Sequence, residues 1–383
     1  MSESKLISES VKLANEHLGY LHTIPEMAFD EQKTTAYIKK VCAEYPVEFI
    51  DVGMETGLVC FLDAGADSTV ALRADIDAVP TEAGCAHFCG HDAHTASLLG
   101  AMHFLCGDVS ALKHNVLFIF QPAEEGTRGA RTLLEHGLLD KVPQRPSAIF
   151  GIHNRPEVRV GDIVVHKGPL MSEKSVFRIA LTGKPGHGSM PHKCIDPITA
   201  AAAIIMGVRT IVSLNTDPFK PCICTVSSVH GGTTESSAPE TARLTGYIRS
   251  FDSETHAHME ERLECITRRT AEAYECGCDI EIERVVPAVD NSSDMHRIAL
   301  KAAKKALEMS ESAFGKKGNI VDSDPCLASE DFAVYSKAIP AFFYWVGSGT
   351  PGKENAMWHD PAFRVDPHYT ETAVPVLVAC ALI

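Results

Sequence analysis

The segment His87-Phe88-Cys89-Gly90-His91-Asp92-Ala93-His94 constrains this chain more than any other stretch, because it crowds a thiol and imidazoles into one short turn. Just upstream lies Asp75-Ile76-Asp77. Downstream come Glu124-Glu125 in Gln121-Pro122-Ala123-Glu124-Glu125-Gly126, His153 in Gly151-Ile152-His153-Asn154, and His359 in Trp358-His359-Asp360-Pro361. Each places a Cys, His or Glu just after an apolar run. A fold that brings these segments together can assemble one dinuclear hydrolytic centre.

The apolar runs say which fold that is. Residues 70–74, 116–120 and 148–152 read as short strands with helical runs between them. Strands alternating with helices predict a mixed, mostly parallel α/β sheet covered by helices on both faces. In such sheets ligands sit beyond the carboxyl ends of the strands, where Asp75, Asp77, Glu124, Glu125 and His153 all fall. Before the first strand, residues 6–18 and 31–45 read as helices separated by the turn at Pro25. From about residue 172 the texture changes. Strands at 175–182, 222–229, 242–251 and 279–285, with helices at 196–214 and 253–274, give the order β-α-β-β-α-β of a ferredoxin-like sandwich. The expectation is a catalytic, metal-binding domain from 1–171 and 286–383, the latter including a strand at 339–346, with a lid or dimerisation domain inserted at 172–285.

Length and composition agree with two domains, since 383 residues exceed one ordinary core. A net charge of −15 argues against nucleic acid or an anionic membrane as the main partner, because both call for a basic face. No apolar run approaches bilayer-spanning length on this reading, and Met1-Ser2-Glu3-Ser4-Lys5 lacks the features of a signal peptide, so a cytoplasmic protein is expected. Thirteen cysteines, an odd number scattered along the chain, fit reduced thiols better than a disulfide framework. Cys222, Cys224, Cys276 and Cys278 sit in strand-like segments and read as buried structural thiols.

Singly, each candidate has a bland explanation. Cys89 and His91 can be a buried thiol beside a helix start, and Glu124-Glu125 a solvated turn. Together they favour chemistry: Cys89 and His91, two apart, can face one ion, while one glutamate binds metal and its neighbour carries a proton from the attacking water to the leaving amine. Asp77, Asp92 and His94 fit groups that orient the ligands, and Asp75 fits either role. His187, in Gly183-Lys184-Pro185-Gly186-His187, reads as a turn residue or as a catalytic donor. Arg249 follows Tyr247 on one strand face, suited to a substrate carboxylate or simply to an exposed sheet face.

The phrases Arg73-Ala74-Asp75-Ile76-Asp77-Ala78-Val79-Pro80, His87 to His94, Phe120 to Gly126, Gly183 to His187, Ser329-Glu330-Asp331-Phe332 and Trp358-His359 resemble the M20 metallopeptidases. The match is to the amidohydrolase branch, which holds hippurate hydrolases, N-acyl-amino-acid amidohydrolases, indole-acetyl-amino-acid hydrolases and N-acetyl-diaminopimelate deacetylases. The resemblance implies that Cys89, His91, Glu125, His153 and His359 hold two divalent metal ions per subunit, Zn or Mn, with Co or Ni also suited to the donor set. It implies Glu124 as general base and acid, His187 reaching a partner's active site to polarise the scissile carbonyl, and a homodimer formed through the smaller domain. The expected substrate is an N-acyl amino acid or similar small amide. A dipeptidase or aminopeptidase with the same centre is the alternative within enzymes, and a silent binding protein the alternative outside them. Two departures bear on specificity: residues 81–86 form a shorter loop than in relatives, and Ser236, after Gly231-Gly232-Thr233, replaces an Asn that often touches substrate.

Overall fold

The computed structural model describes residues 1–383, which fall into two compact units. The first comprises Met1–Gly168, Asp290–Asp324 and Asp331–Ile383, the second Pro169–Val289 with Pro325–Glu330. The expected inserted segment, 172–285, lies within the second unit. That unit also takes back 325–330, because Met171 bridges Cys326 and the Ser172 N–H donates to the Ala328 carbonyl at 2.8 Å.

The first unit is built on an eight-stranded mixed sheet. Its centre runs Leu58–Leu62, Asn115–Gln121, Thr69–Asp75, Ala148–Arg159, Ala341–Gly349, and the pairings from Asn115–Gln121 to Ala341–Gly349 are parallel. Leu58–Leu62 is antiparallel, as expected of a strand that joins an edge. Every residue of Thr69–Asp75, Asn115–Gln121 and Ala341–Gly349 is buried, so these strands read as continuous apolar runs. Side chains still alternate. Val70, Leu72, Ala74, Phe118, Phe120, Phe150, Phe342 and Tyr344 join one core with helices Glu3–Leu21, His91–Gly107, Ser293–Phe314 and Thr370–Leu382. The opposite face carries Phe343, tilted at 37° against Phe332 with ring centroids 4.8 Å apart, over Gly151, whose missing Cβ leaves room for both rings. The helix Glu3–Leu21 buries Ile7, Val11 and Ala14 on one stripe, and Ala14 crosses His91–Gly107 at Gly100, where a side chain would meet its Cβ. The short segment after Pro80 is a tight ribbon of Val79–Thr81 and Gly84–Ala86, turned through Gly84 at φ 132°.

The second unit holds four antiparallel strands in the order Cys222–Gly231, Thr241–Ser250, Glu173–Thr182, Gly277–Val286. In chain sequence this is second, third, first, fourth. Helices Pro197–Asn215 and Ser253–Ala273 share a core with it through Ala200, Ile204, Val208, Ile211, Met259 and Leu263 against Phe177, Ile179, Leu181, Leu244 and Ile248. Pro197–Asn215 corrects one expectation. With 19 residues and a mean hydropathy of 1.7, it is long and apolar enough to cross a membrane by length and composition. Thr199, Arg209, Thr210 and Ser213 interrupt the apolar run within it. Its buried stripe, Ala200, Ala201, Ile204, Val208 and Ile211, packs on the sheet.

Candidate metal centre

The convergence required by the sequence is built where strands Thr69–Asp75 and Asn115–Gln121 end and one helix begins, while His153 lies within Ala148–Arg159, which runs on past the expected strand end at 152. Gly90, at φ 92°, turns the chain so that the helix starts at His91, leaving Cys89 and His91 on either side of the turn. The Thr95 hydroxyl ties this helix to the end of the first strand by donating to the Asp75 carbonyl at 2.7 Å. Glu124 and Glu125 follow Ala123, a non-glycine residue held at φ 58°. That left-handed backbone costs on the order of 1 kcal/mol and is stabilised by the buried Glu31 carboxylate, which accepts from the Ala123 N–H at 2.8 Å. His359 is also left-handed, at φ 68°, and its N–H donates to the Phe88 carbonyl at 2.8 Å, fixing its loop to the Cys89 turn.

The ligand-type atoms of Cys89, His91 and His153 lie within 4.8 Å of one another, as do those of Cys89, Glu125 and His359, and those of His91, Glu124 and Glu125. Cys89 Sγ is 3.5 Å from His153 Nε2, His359 Nε2 is 3.2 Å from Glu125 Oε1, and His91 Nε2 is 3.8 Å from Glu125 Oε1. An ion bound at about 2.0–2.3 Å holds tetrahedral ligand atoms roughly 3.3–3.8 Å apart, so these separations suit atoms that share an ion. His91 Nε2 and Glu125 Oε1 are buried without hydrogen-bond partners, an arrangement that leaves them facing the same space. Asp75, Asp77 and Glu124 are buried beside them, and Glu125 is mostly so, a concentration of carboxylates that divalent cations would neutralise. The donor set and geometry therefore fit two such ions.

Electrostatics follow the same geometry. Burial pushes the Cys89 thiol well above its ordinary range, so a cation is what would make it a thiolate at neutral pH. Burial also pushes His153 well down, with His94 adding to the effect, which leaves a neutral imidazole whose Nδ1 donates to the Asn154 carbonyl at 2.9 Å and whose Nε2 lone pair faces Cys89 Sγ at 3.5 Å. Burial works against ionisation of Glu125, but His359, whose Nε2 is 3.2 Å from Oε1, and the charge of His91 outweigh it and hold the carboxyl below its ordinary value.

The supporting residues separate into two groups. Asp77 accepts from His91 Nδ1 at 3.1 Å and from the Glu125 N–H at 2.9 Å, and so orients two candidate ligands at once. Asp75 accepts from His94 Nδ1 at 2.7 Å, while His94 Nε2 accepts from the Asn154 N–H at 3.0 Å. Asp92 does not orient a candidate ligand: it turns away and accepts from His22 Nδ1 at 2.7 Å. Beneath the centre lies a network absent from the sequence reading. The fully buried Arg73 binds Asp75 at 2.8 Å, Asp331 at 3.0 Å and Gln121 at 2.9 Å. Asp331 also accepts from the Ala130 N–H at 2.9 Å and donates its own N–H to Glu124 Oε1 at 3.3 Å. Its signal in the sequence was Arg73, a charge in the middle of an otherwise apolar strand. Asn154, which donates to the Cys89 carbonyl and accepts from Trp358 Nε1 at 3.1 Å, gave no such signal.

The remaining candidates lie in the second unit. His187 pairs with Ser237 in a two-residue ribbon, and the Gly188 N–H donates to the Ser236 carbonyl at 2.9 Å, so His187 and Ser236 are neighbours at an exposed edge. Arg249 is mostly buried, its Nη1 donating to the Leu327 carbonyl at 2.7 Å and the Ser329 hydroxyl at 3.0 Å.

Comparison with known proteins agrees with this picture. The chain is 35% identical over 369 residues to an N-acetyl-L-cysteine deacetylase of Bacillus subtilis, covering 93% of this chain and 83% of that protein. It is 33% identical over 371 residues to an N-acetyldiaminopimelate deacetylase of the same organism, covering 93% and 94%. Among solved structures it resembles a Bacillus subtilis protein described as a dinuclear metal-binding peptidase of the M20 family, with a TM-score of 0.78 and 32% identity over 99% of this chain and 98% of that one. Residues 71–382, which carry every candidate ligand and His187, match peptidase family M20/M25/M40, and the chain belongs to that family.

Proposed function

We propose that this hydrolase of the M20 family is a dinuclear metallo-amidohydrolase that cleaves the amide bond of N-acyl amino acids or closely related small N-acyl amines. The observation that carries this is the convergence of buried Cys89, His91 and His153 with Glu125 and the exposed His359 beside Glu124. These five residues are the proposed ligands of two divalent ions, Zn or Mn in the first instance and Co or Ni by the same donor chemistry. Bound there, the ions supply Lewis acidity and lower the pKa of water.

The chain's own residues carry the rest. Glu124 is 5% exposed, its Oε1 is held by the Asp331 N–H, and its Oε2 lies 3.9 Å from His91 Nε2, so the carboxylate is held at the centre. It takes the proton of the attacking water and passes it to the leaving nitrogen. His187 Nδ1 accepts from the Ser189 N–H at 3.2 Å, which puts the ring proton on Nε2, the donor tautomer needed to polarise a carbonyl. We assign it to the active site of a partner subunit. Ser236, its neighbour, and the remaining N–H groups of Arg249 are the proposed substrate contacts, the latter for the amino-acid carboxylate.

A homodimer through the second unit is supported by apolar side chains left in solvent there: Met206 is 69% exposed, Leu214 76% and Val229 54%. Two of them lie on Pro197–Asn215 and the third on Cys222–Gly231, which is an edge strand. A cytoplasmic location is supported by thirteen free cysteines. In this reading the first unit is catalytic and the second is the lid and dimerisation domain.

The test is hydrolysis by the Zn- or Mn-loaded protein of N-acetyl-L-cysteine, N-acetyldiaminopimelate, N-benzoylglycine and a free dipeptide. Release of the acyl group from the blocked amino acids is expected. Activity confined to the dipeptide would overturn the proposal in favour of a peptidase.

A further inference from the structure

Away from the metal centre, the first unit contains a second cavity of about 700 Å³, within the range of small-molecule sites. Four of its fifteen lining residues are Arg or Lys, against 35 of 383 in the whole chain, so it is a basic enclave on a protein of net charge −15. The cations are Arg159, Lys316, Lys317 and Lys353, and the acids are Asp366 and Glu371. Both acids are already engaged. Glu371 accepts from Lys316 at 3.1 Å and His368 Nδ1 at 2.8 Å, and Asp366 accepts from the Thr350 hydroxyl at 2.7 Å and the His368 N–H at 2.9 Å. Arg159 holds Asp162 through Nε and Nη2, which leaves Nη1. Lys317 and Lys353 make no ion pair at all.

We propose that this cavity binds a phosphorylated small molecule, its anionic groups taken by Lys317, Lys353 and the free edge of Arg159. Lys317 and Lys353 line this concave space without a carboxylate partner, so a polyanion there exchanges its hydration for several charge-assisted hydrogen bonds. A phosphate suits three separate donors better than a single carboxylate does, because it offers three terminal oxygens. The location also gives the site a consequence. Thr350 and Asp366, whose hydrogen bond closes the base of the loop that carries His359, both line the cavity, so an occupant touches both ends of that loop.

The binding claim is independent of the reaction and can be tested without turnover. Isothermal titration of the metal-loaded chain with fructose 1,6-bisphosphate should give saturable one-to-one binding with a Kd below about 1 mM, and fructose should give none. Lys317→Glu/Lys353→Glu should weaken binding at least about tenfold, and added salt should weaken it in the wild type. Both lysines are exposed, so the variant should fold normally, and Lys317→Ala/Lys353→Ala provides a milder second pair. Absence of saturable binding in the wild type, equal binding of fructose, or an unchanged Kd in both double variants would overturn the proposal. The last result would place the phosphate elsewhere, at the metal centre above all.

Discussion

The adjacent glutamates give the sharpest division of labour to test, since Glu124 and Glu125 are neighbours in sequence and differ in what they face. In Glu124→Gln the side chain keeps its length, and its Oε1 can still accept from the Asp331 N–H that holds it at 3.3 Å. The substitution therefore removes one negative charge and one proton acceptor with little movement. Loss of a positioned acid–base group costs on the order of 10²–10⁴ in rate, about 3–5 kcal/mol at 1.36 kcal/mol per decade. The proposed ligands are untouched, so metal content should stay at the wild-type ratio. Glu125→Gln acts differently. Its Oε1 sits 3.2 Å from His359 Nε2 and 3.8 Å from His91 Nε2, so the amide takes an anionic donor from the middle of the set. Metal affinity should fall by more than the roughly 10–100-fold that follows loss of an outer partner. Both variants would be measured by elemental analysis after exhaustive dialysis and by hydrolysis of N-acetyl-L-cysteine at saturating metal. Full metal content in Glu125→Gln alongside depleted metal in Glu124→Gln would refute the reasoning, because the two carboxylates would have exchanged roles.

Chelation of the wild type should abolish amide hydrolysis and Zn or Mn should restore it; full turnover in protein verified to be metal-free would remove the dinuclear proposal. His187→Ala should lower kcat by about 10²-fold, near 3 kcal/mol by analogy with a lost oxyanion donor, with metal content intact. Mixing His187→Ala with Glu124→Gln chains should then recover activity in heterodimers, and a verified heterodimer no more active than its parents would mean that His187 does not act across subunits. In the second unit, burial works against ionisation of Glu260, but Arg284 and Ser175 hold its carboxyl below the ordinary value of 4.5. A depressed folded pKa adds stability above the unfolded value that is lost as pH falls through the folded one. The Tm gap between wild type and Glu260→Gln should accordingly be widest near neutral pH and narrow in acid; a gap independent of pH would assign the effect to packing.

The sequence by itself determined the order of elements and the chemical character of the site. The apolar runs around residues 70–74, 116–120 and 148–152 are strands because buried parallel strands need continuous apolar residues. That Asp75, Asp77, Glu124, Glu125 and His153 belong near one edge was legible because ligands in such a sheet sit beyond the strand ends, whereas the set Cys89, His91, Glu125, His153 and His359 was legible only through the resemblance to the M20 motifs. Tertiary structure alone decided what depends on distance rather than order. Nothing local distinguishes Asp77, which grips His91 and the Glu125 backbone, from Asp92, which turns to His22 one residue beyond His91. The partners of Arg73 are 2, 48 and 258 residues away along the chain, and Asp331 joins them only because a 3₁₀ segment packs across the sheet. Periodicity and spacing carry short-range information, whereas a buried charge must find its counter-charge wherever the completed fold brings one within hydrogen-bonding reach.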